Sequence, residues 1–212
     1  MGTGGVKYGA PVRIVAGTAR GRRIEAPEGR ITRPTLDRVR QAIFNALDAR
    51  ELVRNAVVLD LFGGSGALAL EAMSRGATHA TVVEADRAAV TFVRRNAEVL
   101  GFGDDVRVIR SDVLRWLVGG GAVTLQPTLV LSDPPYDWGN WPELFASLPA
   151  SVECVVAETG VALAALPGWE VEREKRYGGT IVTMLVPVER QPTDELSDAQ
   201  MPSTEAEVEV TL

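Results

Sequence analysis

The chain has few of the side chains on which many metal sites and crosslinks depend. Its 212 residues contain one cysteine, Cys154, and one histidine, His79. A single cysteine excludes an internal disulfide and a cage of thiolates around a metal, and a single histidine excludes most histidine-based metal sites and general bases. We therefore expect no metal ion and no disulfide, and we expect a cytoplasmic location.

Long hydrophobic runs are missing as well. No stretch approaches the roughly 18–20 apolar residues that a membrane-spanning helix needs, and we expect neither a membrane anchor nor a secretory signal. Hydrophobic residues nevertheless make up 46% of the chain, which is ample for a core. The length suits one α/β domain with an accessory element.

The charge is acidic overall but unevenly distributed. The formal net charge is −6, which taken alone argues against a nucleic-acid partner. However, residues 7–40 contain nine Lys or Arg against three Asp or Glu, whereas residues 189–212 contain seven acids and one Arg. This asymmetry predicts a basic contact surface near the N-terminus and an acidic tail.

The chain is organised around a strand, a glycine cluster and a helix. The run 56–61, apolar except for Asp60, predicts a strand that is buried on both faces. Gly63, Gly64 and Gly66 follow, and residues 67–73 are good helix formers. This arrangement begins the nucleotide-binding half of a doubly wound α/β sheet, in which glycines let the backbone approach a ligand closely. A tight turn without a ligand is the simpler interpretation, and the clustering of three glycines favours a ligand.

The glycine cluster alone does not identify that ligand. Gly64-x-Gly66-x-x-Ala69 fits the dinucleotide pattern, and Glu84 follows at the spacing of a ribose-binding acid. Against NAD, Asp60 at the strand end would face a pyrophosphate unfavourably, and it would suit an ammonium or sulfonium group. The stretch 60–66 resembles motif I of S-adenosylmethionine-dependent methyltransferases. We therefore favour S-adenosyl-L-methionine over NAD as the cofactor.

Further acids follow the next two strands. We assign Glu84 to the ribose hydroxyls, whereas Asp86 is better explained as a charge at the N-terminus of the following helix. Asp112 lies where methyltransferases place the acceptor for the adenine amino group, although it could equally cap the helix 113–118. The candidate cofactor-binding residues are Asp60, Phe62, Gly63, Gly64, Ser65, Gly66, Glu84, Ala85, Asp112, Val113 and Asp133.

The most specific motif is Asp133-Pro134-Pro135-Tyr136, which follows a predicted strand, 128–131. Two adjacent prolines fix two φ angles and supply no N–H donors, so the turn is rigid and presents bare carbonyl oxygens. Such a turn, beside a carboxylate and an aromatic ring, suits binding of an exocyclic NH2 group on a flat base. A plain turn with a surface tyrosine is the alternative. We predict that all four residues are catalytic.

The basic N-terminal region predicts an element that contacts RNA. Strands at 12–17 and 22–27 would form a hairpin whose arginines cluster around a turn at Gly21. A solvated surface ribbon would also explain the cluster, and we favour phosphate binding. A helix at 36–47 follows, with Thr35 as its expected cap. The candidate RNA-binding residues are Arg20, Arg22, Arg23, Arg33, Arg38 and Arg40.

The rest of the chain predicts alternating strands and helices. Expected strands are 78–83, 106–109 and 152–157, expected helices are 87–100, 113–118 and 140–148, and a final hairpin covers 169–176 and 180–188. Cys154 is expected to be a small core residue. The predicted organisation is a disordered N-terminus (1–11), a basic hairpin and loop (12–35), a methyltransferase domain (36–188) and an acidic disordered tail (189–212).

The layout from Val12 to Pro187 resembles the RsmD family, bacterial 16S rRNA guanine(966)-N2 methyltransferases. The motifs that carry the resemblance are 13–17, 21–23, Arg33-Pro34-Thr35-x-x-Arg38-Val39-Arg40, 60–68 and 133–136. The block at 33–40 is far more specific than the generic methyltransferase motifs. The resemblance implies an α/β, doubly wound, Rossmann-like class I methyltransferase fold. Its sheet would have seven mostly parallel strands, and a C-terminal hairpin would insert the only antiparallel one.

The resemblance also implies an activity. A monomer would transfer a methyl group from S-adenosyl-L-methionine to N2 of a guanine in 16S rRNA or in a small-subunit particle. Asp133 and the Pro134 carbonyl would hold the amine, and Tyr136 would stack on the base. A DNA adenine-N6 or cytosine-N4 methyltransferase uses a similar Asp-Pro-Pro-Tyr motif and stays an alternative. A nucleic-acid-binding module without catalysis would leave the glycine cluster and residues 133–136 unexplained.

Overall fold

A computed structural model describes residues 9, 11–26 and 34–188 of the chain. The predicted acidic tail, Arg33 and most of the predicted disordered N-terminus lie outside the described residues. The loop that follows the N-terminal hairpin, 27–33, lies outside them as well.

Nine strands and five helices occur within the described ranges. The strands are β1 (Val12–Arg13), β2 (Arg23–Ile24), β3 (Val57–Leu61), β4 (His79–Glu84), β5 (Val106–Arg110), β6 (Leu129–Ser132), β7 (Cys154–Thr159), β8 (Trp169–Tyr177) and β9 (Thr180–Pro187). The helices are α1 (Pro34–Asp48), α2 (Ala67–Ser74), α3 (Arg87–Leu100), α4 (Val113–Val118) and α5 (Trp141–Ala146).

Seven of these strands form one sheet in the order β5-β4-β3-β6-β7-β9-β8. The five strands from β5 to β7 are parallel, and β9 runs antiparallel between β7 and β8. This confirms the predicted sheet and its single antiparallel strand. From β3 the chain adds β4 and β5 on one side and then β6 and β7 on the other, so the strand order reverses between β3 and β6. At such a point a doubly wound sheet opens a crevice at the carboxyl ends of its strands.

Helices cover both faces of the sheet. On one face α1, α2 and the N-terminal hairpin share a core that includes Phe44, Leu70 and Ile14. On the other face Leu117 of α4 and Leu144 of α5 pack in a second core. Because Ile14 is fully buried in the first core, the hairpin is part of the main fold rather than a separate arm.

We term the end of the sheet where β3 to β7 finish the carboxyl edge, and the opposite end the amino edge. The turn of the N-terminal hairpin packs at the amino edge, where α2 ends. Thr18 N donates to Ser74 O at 2.8 Å, and Ala19 N donates to Ser74 Oγ at 2.9 Å. Gly17 has φ +80°, and a Cβ there would lie 1.8 Å from Ser74 O, so only glycine permits this approach.

Two predicted boundaries at the N-terminus are wrong. The hairpin strands pair over two residues each instead of six, because Val15 N and Ala16 N donate to the Glu71 carboxylate at 2.7 and 3.0 Å instead of to a strand. Helix α1 begins at Pro34, so Thr35 lies inside the helix and is not its cap. Proline suits the first helical position, where its missing N–H is not needed. Among the described helices, none is long and apolar enough to span a bilayer.

Candidate functional site

The glycine loop between β3 and α2 lies at the carboxyl edge and has a left-handed backbone. Phe62, Gly64 and Gly66 have φ values of +66°, +57° and +80°. A Cβ at Gly63 would lie 2.1 Å from Cγ1 of Val82, so this glycine lets the loop pack directly on β4. Phe62 is a non-glycine residue in a costly conformation, which is common in backbone that shapes a ligand site.

Asp60, near the end of β3, has a structural partner. It is 1% exposed, and its Oδ2 accepts a hydrogen bond from Ala69 N at 3.1 Å. Ala69 lies in the first turn of α2, where backbone N–H groups have no partner within the helix. The carboxylate therefore fixes the start of α2 against the loop and puts negative charge at the base of the crevice.

Glu84 ends β4 beside the glycine loop. Its Oε2 accepts from Gly64 N and its Oε1 accepts from Asp86 N, both at 2.8 Å. An ionised carboxylate has about four acceptor positions, so both oxygens can accept further hydrogen bonds. Asp86 caps α3 through a bond from Ala89 N to its Oδ1 at 2.7 Å, which confirms its assignment to the helix. Ala85 between them is exposed.

Asp112 follows β5 at the same edge. It is the N-cap of α4, and its Oδ1 accepts from Arg115 N at 2.9 Å. The backbone N–H of Ser111 donates to Glu84 O at 3.1 Å. Asp112 is the next residue, so it follows directly on a bond to Glu84, the predicted ribose ligand. Val113 is buried. The bond by which Asp112 caps α4 is therefore present, and the contact of Asp112 with the adenine amine stays a prediction.

The Asp133–Tyr136 corner adjoins the glycine loop. Asp133 N donates to Leu61 O at 3.4 Å, and Leu61 immediately precedes Phe62. The Pro135 carbonyl accepts from Trp138 N at 2.9 Å, so the prediction that both proline carbonyls are bare is wrong for Pro135. No N–H or O–H group of the described ranges donates to the Pro134 carbonyl, which leaves this oxygen as the acceptor of the corner.

Aromatic rings border the corner on both sides. Tyr136 is 73% exposed, and its hydroxyl lies 3.3 Å from Thr180 Oγ1. Its ring packs on Gly160, where a Cβ would lie 3.0 Å from Tyr136 Cδ1. Trp138 meets the Phe62 ring edge-on with centroids 5.2 Å apart. The exposed Tyr136 ring thus stands beside an open crevice, and Trp138 joins the corner to the glycine loop.

Sequence reasoning missed Glu158, a buried acid near the end of β7. Burial and the charge of Asp133 raise the pKa of Glu158 to about 8, Arg40 opposes this shift, and Asp60 adds to it. Glu158 is therefore mainly protonated at neutral pH, and the two acids that raise its pKa are Asp133 and Asp60 of the crevice. The sequence did contain a signal for Glu158. It follows an apolar strand directly, and the same pattern led to the selection of Glu84.

Two of the predicted RNA-binding arginines have structural roles. Arg40 is 4% exposed, its Nη2 donates to Asp37 Oδ1 at 2.9 Å, and its Nε lies 3.7 Å from Glu71 Oε2. The predicted phosphate contact is wrong for Arg40, because its guanidinium is enclosed and pairs with the buried Glu71 and the half-exposed Asp37. Arg22 donates to the carbonyls of Val99 and Leu100, so it caps the end of α3.

The other basic candidates differ in their position. Arg20, Arg23 and Arg38 are exposed. The turn that carries Arg20 lies at the amino edge, whereas Arg38 lies near the start of α1. Cys154 is fully buried, as expected for a core residue, and burial raises the pKa of its thiol to about 12. It is therefore not a nucleophile at neutral pH.

Comparison with known proteins identifies relatives along most of the chain. The family model described as Conserved hypothetical protein 95 matches residues 12–186. The chain is 36% identical over 175 residues to Ribosomal RNA small subunit methyltransferase D of Escherichia coli (strain K12), an alignment that covers 79% of this chain and 85% of that protein.

Solved structures agree with this assignment. A putative methyltransferase, yhhF, from Escherichia coli superposes with a TM-score of 0.73 at 33% identity, covering 84% of this chain and 98% of that one. An RNA methyltransferase from Salinibacter ruber, solved in complex with S-adenosyl-L-homocysteine, shares the fold with a TM-score of 0.56 at 22% identity, covering 77% of this chain and 98% of that one. The chain therefore belongs to the RsmD family, that of Conserved hypothetical protein 95 and of Ribosomal RNA small subunit methyltransferase D.

Proposed function

We propose that the protein methylates the exocyclic N2 of a guanine in 16S rRNA, with S-adenosyl-L-methionine as the methyl donor. The observation that carries the proposal is the hydrogen bond from Asp133 N to Leu61 O at 3.4 Å. This bond brings the Asp133–Tyr136 corner beside the glycine loop, which supports the proposal that an amine held at the corner would lie next to the cofactor. The family relationship supports the same activity.

The residues of the crevice fit this cofactor. Gly63 and Gly64 keep side chains out of the loop, and the Glu84 carboxylate beside it has acceptor positions left for ribose hydroxyls. Asp60 provides negative charge where a sulfonium would lie. Asp112 would accept the adenine amine, and Phe62, Ser65, Ala85 and Val113 would line the site. When bound, the cofactor supplies a methyl group on a cationic sulfur, which is open to attack by a nucleophile.

Asp133 and Pro134 would activate the amine. Guanine N2 is a poor nucleophile because its lone pair is delocalised into the ring. Hydrogen bonds from its two N–H groups to the Asp133 carboxylate and the Pro134 carbonyl would hold the nitrogen and favour a pyramidal geometry, which localises the lone pair. Asp133 is also the group placed to take the proton that the nitrogen loses. Fixing the nucleophile in line with its target supplies much of the rate.

Tyr136 would provide the platform for the base. Its ring is largely exposed, yet its orientation is fixed by Gly160 beneath it and by the contact of its hydroxyl with Thr180. Stacking of a base on such a ring is worth about 1–3 kcal/mol. A paired guanine cannot reach the corner, so the target must be unstacked or flipped.

The test is to map methylated guanines in rRNA. Small-subunit rRNA from cells that lack this protein should be missing one N2-methylguanine, of the 966 type, when its fragments are analysed by mass spectrometry. The purified protein should restore that mass on the same rRNA. An unchanged methylation map would overturn the proposal, and methyl transfer to duplex DNA instead of rRNA would favour an adenine-N6 or cytosine-N4 activity.

A further inference from the structure

We propose that the carboxyl-edge end of the β8–β9 hairpin binds RNA phosphates that flank the methylated base. The surface consists of Arg38 on α1 and Arg173 and Lys175 on β8, and we term it the hairpin ridge. The proposal rests on the proposed function, because it takes the RNA to be the substrate that enters the crevice.

The ridge borders the base platform. Strand β8 runs from the amino edge to the carboxyl edge, and the turn Gly178-Gly179 then leads into β9. Thr180, the first residue of β9, makes the 3.3 Å contact with the Tyr136 hydroxyl, and Ile181 pairs with Thr159 at the end of β7. A Cβ at either turn glycine would meet nothing within 4 Å. A nucleic acid that delivers a base to Tyr136 therefore passes this open turn.

Charges of opposite sign are separated along β8. Glu170 and Glu172 lie in its first half, and Glu172 pairs with Arg50 at 2.7 Å. Arg173, Lys175 and Arg176 lie in its second half, towards the crevice. The acid among them, Glu174, has its carboxylate 3.5 Å from Thr183 Oγ1. Because Thr183 is fully buried, this carboxylate is directed towards the sheet.

A bulge and helix α1 bring Arg38, Arg173 and Lys175 together on one face, whereas Arg176, the neighbour of Lys175 in the strand, points to the opposite face. The register of β8 shifts between Val171 and Arg173, and such a bulge redirects the side chains that follow it. Arg173, Lys175 and Tyr177 line a shallow groove against Ala42 of α1. Arg38 lies one helical turn before Ala42 and therefore on the same side of α1. The Lys175 ammonium lies 5.3 Å from the centroid of the Tyr177 ring.

The ridge charges face solvent without an acidic partner in the described part of the chain. All three ridge residues are exposed, and within residues 9, 11–26 and 34–188 none of them forms an ion pair. Charged residues on an edge strand also block pairing with other chains, but either sign serves that purpose. A cluster of one sign beside the crevice, in a chain with a net charge of −6, fits a polyanion.

Salt-dependent binding of naked small-subunit rRNA by the full chain tests the ridge. Arg173→Gln with Lys175→Gln should reduce the slope of log affinity against log salt by roughly 1 to 2 and raise the KM for rRNA several-fold, with kcat unchanged. The matched control is Arg54→Gln with Arg107→Gln, which removes the same charge from exposed positions at the amino edge. Arg173→Lys with Lys175→Arg should behave as the wild type.

Each other outcome decides against the ridge. An unchanged slope for the glutamine variant overturns it, and so does an equal loss in the control, which would reflect total charge alone. If binding of naked rRNA is unchanged but binding of the small-subunit particle weakens, the ridge contacts a ribosomal protein instead. Failure of the proposed function is separate, since the wild-type protein would then bind rRNA with this slope and leave guanine N2 unmethylated.

Discussion

At the scale of single residues, the acids of the carboxyl edge bind backbone as well as facing the crevice. Asp60 holds the N-terminus of α2, Glu84 holds the glycine loop, and Asp112 caps α4. Each carboxylate is thereby held in a fixed orientation before a ligand arrives. A site fixed in this way loses little entropy on binding, and a substitution in it affects the local backbone as well as the ligand.

Asp133 allows a sharp test, because its proposed roles separate in different variants. Asp133→Ala removes both the hydrogen-bond acceptor and the base, and should abolish methyl transfer. Asp133→Asn keeps one acceptor but cannot take a proton, and should lower kcat by roughly 10²–10⁴-fold. Equilibrium binding of S-adenosyl-L-homocysteine to both variants should stay within a few-fold of the wild type. Substantial turnover by Asp133→Ala would refute the role of Asp133 in the reaction.

Glu158 gives the fold a dependence on pH. Its pKa is about 8 in the folded protein against an ordinary 4.5, so the folded state binds this proton more tightly. Its contribution to stability is complete below pH 4.5, falls as the unfolded chain ionises, and is lost as the pH rises through about 8. Replacement by glutamine removes the titration, so the stability of the variant relative to the wild type should increase as the pH rises.

The gain should be measurable by thermal unfolding. Between about pH 6 and about pH 8.5, the free energy of unfolding of Glu158→Gln should rise by about 2–3 kcal/mol relative to that of the wild type, which corresponds to roughly 5–10 °C in Tm. Glu170→Gln is the control, because Glu170 is exposed on β8 and its replacement should give a difference that does not change with pH. A constant Tm difference for Glu158→Gln would mean that Glu158 is ionised in the folded protein.

At the scale of elements, one buried acid joins the N-terminal hairpin to the helical layer. Glu71 on α2 is 0% exposed and accepts from Val15 N and Ala16 N. It also pairs with Arg75 at 2.8 Å and lies 3.7 Å from Arg40. Removing the carboxylate would leave two N–H donors without this acceptor and take one acidic partner from each of two buried guanidinium groups, of which Arg40 keeps Asp37 and Arg75 keeps Asp48. Removing one partner of a buried ion pair is among the costliest single substitutions.

Glu71→Ala should therefore destabilise the protein by about 3–5 kcal/mol, measured by urea unfolding. Glu71→Gln should cost less, because its amide oxygen still accepts one hairpin bond. The control is Glu172→Gln, which breaks a pair with Arg50 that is about one-third exposed and should cost about 1 kcal/mol or less. Hydrogen exchange at Val15 and Ala16 should speed up in Glu71→Ala. Equal losses for Glu71→Ala and Glu172→Gln would contradict the proposed anchor.

Local signals in the sequence explain which elements could be predicted. Helix α3 has its predicted bounds because Asp86 caps its start and Gly101, with φ +83°, ends it. Arg40 could not be placed from the sequence, since its burial depends on Glu71, which is 31 residues away. The two-residue strands of the hairpin could not be predicted for the same reason. Long-range contacts decided these positions, whereas short-range caps and turns decided the predictable ones.

At the scale of the whole molecule, the crevice draws on both halves of the sheet. The glycine loop and Glu84 come from β3 and β4, whereas Asp133 and Glu158 come from β6 and β7 on the other side of the point where the chain reverses. The N-terminal hairpin and α1 join the same core. A ligand bound across this point stabilises the packing of both halves, so its effect should extend to unfolding of the entire domain.

S-adenosyl-L-homocysteine should therefore raise the Tm of the whole domain in one cooperative transition. At about 100 times its Kd, a ligand that binds only the folded state adds about 2.7 kcal/mol, which corresponds to roughly 5–10 °C for a domain of this size. NAD at the same concentration should leave the Tm unchanged, and Glu84→Gln should reduce the shift given by S-adenosyl-L-homocysteine because an amide offers the ribose one acceptor oxygen instead of two. A shift with NAD alone would reverse the choice of cofactor. A transition that splits in two would show that the halves unfold separately.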